Sequence, residues 1–350
     1  WLDLVALGTV CDVVPLTGVN RALVSAGLKV CRQRRNVGLA ALADVARMDE
    51  TPTPFHLGFL LGPRINAGGR VGRADLGAQL LATDLPTQAR ELAETLDGLN
   101  RERRDLEAAV LQEATAEVEA GGLSEGLAFA AGRGWHPGVI GIVASRLMEA
   151  YDRPALVVAL DEHGQGKGSG RSVRGVDLGG AVIAGRQAGV LTHGGGHRMA
   201  AGLSLAAERL GEARAFLEER LGRAMRTAGY TPALGFDGAL QPRAASVELV
   251  RQLERLGPYG TGNAEPRFAV TDARVIDPQV VGEDHVRCFL AGADGARLKA
   301  IAFRSRDSAL GQALLDARGV PLHVAGKLRL DLWGQRESVQ LIVEDAARAG

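Results

Sequence analysis

The chain has 350 residues, 46% of them hydrophobic, and its 41 basic residues are balanced by 41 acidic ones. That length accommodates two or three domains with cores of their own, and the composition is ordinary for a soluble globular protein, so disorder is not the default. The absence of an 18-residue apolar run or a signal-peptide pattern gives no sequence reason for export or anchoring and fits the cytoplasm, while Cys11, Cys31 and Cys288 are too scattered for a disulfide framework or a zinc knuckle.

Residues 1–14 are apolar on most sides and predict a helix that ends before Pro15, since a residue preceding proline is pushed out of the helical region. Asp12 is a lone charge in the second half of that segment and must be paired, hydrogen-bonded or on a metal. Residues 20–33 predict a helix capped by Asn20, with Leu23, Val24, Gly27, Leu28 and Cys31 on its apolar face. Shorter helices are expected at 38–47 and 53–65. The second leads into NAGGRVGR, where Gly68, Gly69 and Gly72 interrupt the helical pattern among Arg64, Arg70 and Arg73. That stretch is either a positive, adaptable edge or a glycine-rich connection with a solvated charge row. Over 85–121 leucines and valines recur at helical steps amid charges, which predicts one helix of about 50 Å. Arg101, Arg103 and Arg104 fall near its middle.

From residue 123 the pattern turns α/β. Strands are expected at 127–131 and 155–160, and helices starting at Pro137 and spanning 178–187 and 208–226. Two glycine-rich stretches stand out: GKGSGRS at 166–172, carrying Lys167, Ser169, Arg171 and Ser172, and LTHGGGHRMAAG at 191–202, where Gly194, Gly195 and Gly196 deliver His197. Glycines let a backbone approach a ligand without Cβ atoms in the way, and the donors beside them suit phosphate. The plainer alternative is a tight turn and a hairpin with solvated arginines. Beyond residue 230, strands at 236–240, 268–276, 286–291, 298–303, 322–330 and 338–343, with helices at 245–256 and 308–317, suit a small closed barrel. Arg287, Lys299, Arg304, Lys327, Arg329 and Trp333 are candidates for a strand-binding face, where an aromatic stacks a base and cations meet the backbone. Trp333 beside Gly334 alternatively caps a hairpin. Only four of the basic residues are lysines, and the arginine fork grips phosphate bidentately, although a GC-rich genome explains that bias equally well.

The stretch around His197 resembles the GGH signature of the DHH-associated domain of the DHH phosphoesterase superfamily. WHPGVIGIVASRL at 135–147, ALGTVCDVVPL at 6–16, LGPRINAGGRVGRAD at 61–75 and LGPYGTGNAEPRF at 256–268 are similar to segments of the RecJ exonucleases. The resemblance implies a multidomain α/β fold: the C-terminal part of a DHH phosphoesterase domain at 1–84, a long connecting helix at 85–121, a mixed α/β DHH-associated domain at 122–229 and an OB-like β-barrel at 230–350. It implies a 5′ to 3′ exonuclease of single-stranded DNA that serves recombination and repair and uses Mn2+, with Mg2+ as an alternative, to activate water. Asp12 then matches a metal ligand and catalytic carboxylate. His197 becomes catalytic, and Arg70, Ser169, Arg171, Gly194, Gly195, Gly196 and His197 become phosphate-binding. Arg64, Arg73, Arg101, Arg104, Arg287, Lys299, Lys327 and Trp333 become further DNA contacts. A single-strand-binding protein and a recombination helicase are the implied protein partners of a monomer, and no membrane is involved. The DYD-like and DHH motifs that bring most metal ligands do not occur, so the chain is expected to be the C-terminal portion of a longer enzyme and inactive alone. Two alternatives remain: a phosphodiesterase of nanoRNA, cyclic dinucleotides or 3′-phosphoadenosine phosphate, and a noncatalytic single-strand-binding module.

Overall fold

The apolar residues gather into separate cores, and the computed structural model, which describes residues 1–317, 320–331 and 337–349, divides into two compact units. One holds Trp1–Gln33, Thr51–Gly58 and the chain from Ala233 onward; the other holds Arg34–Glu50 and Phe59–Pro232. Residues 1–84 therefore contribute to both. Helix α1 (Leu2–Cys11) ends before Pro15 as its sequence predicts, and packs on α2 (Gly18–Cys31), where Gly27 lies directly against the Leu2 carbonyl. Asn20 is not the cap of α2. The helix starts at Gly18, whose φ of +49° lets the chain turn into it, and Asn20 Nδ2 instead donates to the Pro15 carbonyl at 3.2 Å.

In the second unit α3 (Val37–Val45) is capped by Asn36, which accepts from the Leu39 amide at 2.7 Å. A π-helical stretch, His56–Leu61, runs into α4 (Gly62–Val71), which passes through Gly68 and Gly69 and ends at Gly72. The glycines do not break the helix earlier, because they serve packing: a Cβ on Gly68 would lie 2.8 Å from the Arg73 carbonyl oxygen and 3.3 Å from Leu96. An unexpected helix, α5 (Leu76–Ala82), follows, with Gly77 tight against Ile65. The long helix α6 (Pro86–Ala120) touches α3, α4 and α5 and, further along, the first strand and helix of the mixed sheet.

That sheet comprises β1 (Ala128–Arg133), β2 (Ala155–Leu160), β3 (Gln165–Arg171), β4 (His193–His197) and β5 (Ala200–Ala206), in the order β1-β2-β3-β5-β4. Strands β1 and β2 pair in parallel and the other pairs are antiparallel. The glycines of both stretches thus lie in strands, and the second stretch also holds the tight turn at Arg198 and Met199 that joins β4 to β5 in a hairpin. Helix α7 (Ile140–Tyr151) begins three residues after Pro137, behind a turn in which the Val139 amide donates to the His136 carbonyl at 3.1 Å. Helices α8 (Leu178–Gln187) and α9 (Leu210–Ala228) cover one sheet face through Leu156, Val158, Val182, Leu203 and Leu217. On the other face α6 and α7 pack on β1 and β2 through Val110, Ala114, Val143, Leu147 and Val157, a cluster to which β3, β4 and β5 contribute no buried residue among those described. That half-covered face becomes the site below.

The barrel comprises β6 (Gly238–Leu240), α10 (Val247–Glu254), β7 (Phe268–Val281), β8 (His285–Ala291), β9 (Arg297–Ala302), α11 (Ala309–Asp316), β10 (Pro321–Asp331) and β11 (Ser338–Arg348). Strands run β10-β11-β9-β8-β7 and β10 pairs back with β7, closing five strands around Val270, Val286, Leu290, Val324 and Leu341, with β6 beside β7. The predicted closed barrel is present. The loop between α10 and β7 has a partner the sequence did not reveal: Thr261 accepts from the Leu16 amide at 2.6 Å, Gly257 accepts from Arg21 at 3.2 Å, and Gly262, at φ +74°, lies against Pro15. Among the described residues no helix is long and apolar enough to cross a membrane.

Candidate functional site

Strict alternation builds the floor of the site. In β3 the glycines at 166, 168 and 170 face the packed side, where a Cβ on Gly168 would lie 2.7 Å from Leu203 and one on Gly170 2.8 Å from Leu178. Lys167, Ser169 and Arg171 therefore all stand on the opposite face. Register carries that face across the sheet in three rows: Arg171 aligns with Ala200 and His197, Ser169 with Gly202 and Gly195, and Lys167 with Ser204 and His193. The three consecutive glycines divide by the same rule. Gly194 backs onto Val182 of α8, 2.7 Å from where its Cβ would sit, and Gly196 lies against the Ala200 carbonyl in the hairpin, whereas a Cβ on Gly195 would meet nothing within 4 Å.

Above this floor lies a cleft of about 480 Å³, bounded by residues 137–141 at the start of α7 and by Arg70 near the end of α4. Trp135 fixes the α7 side, donating from Nε1 to Glu113 of α6 at 2.6 Å while its ring covers Gly132. Arg70 Nη1 donates to the Gly138 carbonyl at 3.0 Å, and Gly138 packs on the Arg70 carbonyl in return. A side chain at Gly141 would intrude, its Cβ 3.0 Å from Ser169 Oγ and 3.2 Å from Arg171 Nη2. The amides of Ile140 and Gly141 have no backbone acceptor among the described residues, so they add helix N-terminal donors to the cleft.

The charge in the cleft is of one sign, since none of the lining side chains is acidic. Arg171 donates to Ser169 Oγ at 3.2 Å and to the Gly170 carbonyl at 2.8 Å, and neither it nor Arg70 forms an ion pair among the described residues. Burial, and then the charge of Arg70, hold the Arg171 guanidinium below its ordinary pKa; burial, and then Arg103, do the same to Arg70. An anion between them relieves that repulsion. Behind Arg70, Arg103 of α6 is buried and donates to Glu107 at 2.5 Å and to Asn100 Oδ1 at 3.1 Å, while Arg146 of α7 stands 3.7 Å from Glu107.

The structure thus brings Arg70, Ser169, Arg171, Gly194 and Gly195 to one cleft. Gly196 is taken up by the hairpin, and His197 stands exposed at the end of the same face, outside the lining. Lys167, one of the donors of the first glycine-rich stretch, lines the cleft as well, and so do His193, Gly202 and Ser204, which were not singled out from sequence, although a period of two read through HGGGH marks His193. Arg64 is not on an open edge: it is buried, 2.9 Å from Asp97 and 2.6 Å from the Leu60 carbonyl. Arg73 pairs with Asp75 at 2.6 Å and Arg101 with Asp97 at 3.5 Å, both arginines being solvent-exposed, as is Arg104. On the barrel Lys299 pairs with Asp331 at 2.5 Å, Lys327 with Glu344 at 2.7 Å and Arg329 with Glu265 at 2.8 Å. Exposed Arg304 and part-buried Arg287, whose buried Nε has no partner among the described residues, remain there. Trp333 lies outside the described residues. Asp12 is exposed at the end of α1, not enclosed by apolar neighbours, and among the described residues no group of three or more His, Cys, Asp or Glu is placed to hold a metal.

Two family models match the chain, the DHHA1 domain over residues 124–223 and the RecJ OB domain over 236–345. The chain is 33% identical over 354 residues to the single-stranded-DNA-specific exonuclease RecJ of Bacillus subtilis, a match covering 99% of this chain and 44% of that protein. With the Escherichia coli protein of the same name it shares 35% identity over 360 residues, covering 98% and 60%. The crystal structure of RecJ in complex with Mn2+ from Thermus thermophilus matches the whole chain with a TM-score of 0.83 at 30% identity, and half of that chain is covered; a second structure of that protein, in complex with Mg2+, matches with a TM-score of 0.82. The chain spans about half the length of the curated relatives it matches.

Proposed function

The chain belongs to the RecJ family, and on that premise we propose that it is the strand-gripping portion of a single-stranded-DNA-specific exonuclease that works from the 5′ end in recombination and repair. The observation that carries this reading is the cleft in which Arg70 and Arg171 face one another without a carboxylate, beside the Ser169 hydroxyl and over the bare backbone of Gly195. Such donors fit a phosphate at close range, with the arginine fork supplying the strongest contacts. The barrel offers a contact of its own, Arg287, whose buried Nε is unpaired among the described residues, and its presence favours a polymer over a dinucleotide as substrate. In sequence terms, residues 1–84 belong to the phosphoesterase domain, 85–121 to the connecting helix, 122–229 to the phosphate-gripping domain and 230–350 to the barrel. The site of action is the cytoplasm, on single-stranded DNA with a 5′ end.

Divalent-metal dependence comes from the relatives solved with Mn2+ and Mg2+. The residues of this chain do not fit such a centre by themselves, because Asp12 stands exposed and no cluster of ligands accompanies it among the described residues. Asp12 is assigned as one of the metal's ligands, and His197 as a donor at the mouth of the cleft. Fluorescence anisotropy tests the reading: the chain should bind 5′-phosphorylated single strands more tightly than 5′-hydroxyl strands or duplex, and Arg171→Ala should abolish the 5′-phosphate preference. Equal binding of all three by the unmodified chain would overturn it.

A further inference from the structure

The cleft is longer than one phosphate needs, and its donors are not all at one end. Lys167, Ser204 and His193 form one row across β3, β5 and β4, separated from the Arg171 row by the row of Ser169, Gly202 and Gly195. All three residues of the far row line the cleft, and among the described residues none of their side chains has a hydrogen-bond or ion-pair partner. Adjacent strands lie about 4.8 Å apart, so the row gathers an ammonium, a hydroxyl and an imidazole within roughly 10 Å. Rows two residues apart along a strand are separated by roughly 7 Å, so the far row lies roughly 14 Å from the Arg171 row at the backbone, and the Arg171 guanidinium, which donates to Ser169 Oγ at 3.2 Å, shortens that span by reaching back over the middle row. Between them a Cβ on Gly195 would meet nothing within 4 Å, and one on Gly202 would come no nearer than 3.9 Å to any atom, so the floor is flat backbone across which a sugar can lie.

We propose that Lys167, Ser204 and His193 form a second phosphate subsite, which takes the phosphodiester one nucleotide in from the terminal phosphate held by Arg70 and Arg171. The row offers donors without an acidic acceptor. Lysine acts as a point charge, serine donates one hydrogen bond, and histidine donates in either protonation state. That set, with a lysine charge among its donors, matches the anionic oxygens of a phosphodiester. The subsite rests on the reading of the Arg70 and Arg171 end as a phosphate site, and it makes the dinucleotide the unit that the cleft measures.

Calorimetric titration of the chain with thymidine 5′-monophosphate and with the 5′-phosphorylated dinucleotide of thymidine tests both ends separately. The unmodified chain should bind the dinucleotide about tenfold more tightly, the value of a charge-assisted contact. Lys167→Gln combined with His193→Gln should remove that advantage and leave the mononucleotide affinity unchanged; both residues are solvent-exposed, and thermal unfolding checks that the variant is folded. Arg171→Ala should weaken both ligands. No dinucleotide advantage in the unmodified chain, or an advantage that survives in the double variant, would overturn the second subsite alone. Undiminished mononucleotide binding in Arg171→Ala would overturn the phosphate reading and the subsite with it.

Discussion

Gly194, Gly195 and Gly196 follow one another in the chain and serve different ends, because Gly194 faces Val182, Gly196 faces the Ala200 carbonyl and Gly195 faces open space. Gly194→Ala should destabilise the fold by about 1–3 kcal/mol, as overpacking does, since the new Cβ meets Val182. Gly195→Val should leave the unfolding temperature nearly unchanged yet weaken nucleotide binding, because its side chain grows into the cleft. Parallel thermal and binding measurements check the pair, and loss of stability in Gly195→Val without loss of binding would refute the assignment. Arg171 allows a pH argument. Its pKa is lowered in the folded chain by burial and by Arg70, so the folded state holds its proton less tightly than the unfolded state does. Stability from this group therefore rises with pH between the lowered value and the ordinary one, and below that window the charged pair is a standing penalty. At neutral pH an anion offsets the penalty, so thymidine 5′-monophosphate should raise the unfolding temperature of the unmodified chain by mass action and raise it far less in Arg171→Ala.

At the scale of elements, α6 is legible in the sequence because its apolar spacing persists over 35 residues without an internal proline. The barrel strands are legible because they alternate and contain β-branched residues. Strands β3 and β4 are not, since KGSGR and HGGGH have almost no strand propensity of their own; pairing with β2 and β5, and the leucines beneath them, hold them extended. Of the site, the arginines, Ser169 and the glycine cradle can be read from composition, whereas the far row cannot, because it exists through register between strands. The buried polar stripe of α6 is hidden for a similar reason: helical periodicity marks apolar faces, and Asn100, Arg103 and Glu107 interrupt one. Arg103 keeps Glu107 engaged, which leaves Arg70 to the cleft. Arg103→Met should therefore destabilise the unit by about 1–3 kcal/mol, because Asn100 loses its donor and Glu107 is left with Arg146 alone, 3.7 Å away. It should also lower nucleotide affinity as Glu107 turns its charge on Arg70. Adding Glu107→Gln should recover the affinity, and a double variant as weak as the single one would deny Arg103 this role.

Over the whole molecule 41 positive charges meet 41 negative ones, so on the proposed reading the grip on a strand rests on local clusters of cations and not on net attraction. Of the candidate cations on the barrel, Lys299, Lys327 and Arg329 are each tied to an acidic side chain, while Arg287 keeps a buried donor unsatisfied among the described residues. Each phosphate neutralised on a single strand contributes about −0.7 to the slope of log K against log salt. With Arg70, Arg171 and Lys167 in the cleft, a short 5′-phosphorylated strand should give a slope of about −2, modest for a nuclease-sized surface. A strand long enough to add the barrel should give a steeper slope, and Arg287→Ala should lower that slope by about 0.7 while leaving the short strand unaffected. Arg171→Ala should lower both. These slopes are read from binding titrations between low and physiological salt. If Arg287→Ala changes neither slope, the barrel does not grip the backbone through this residue.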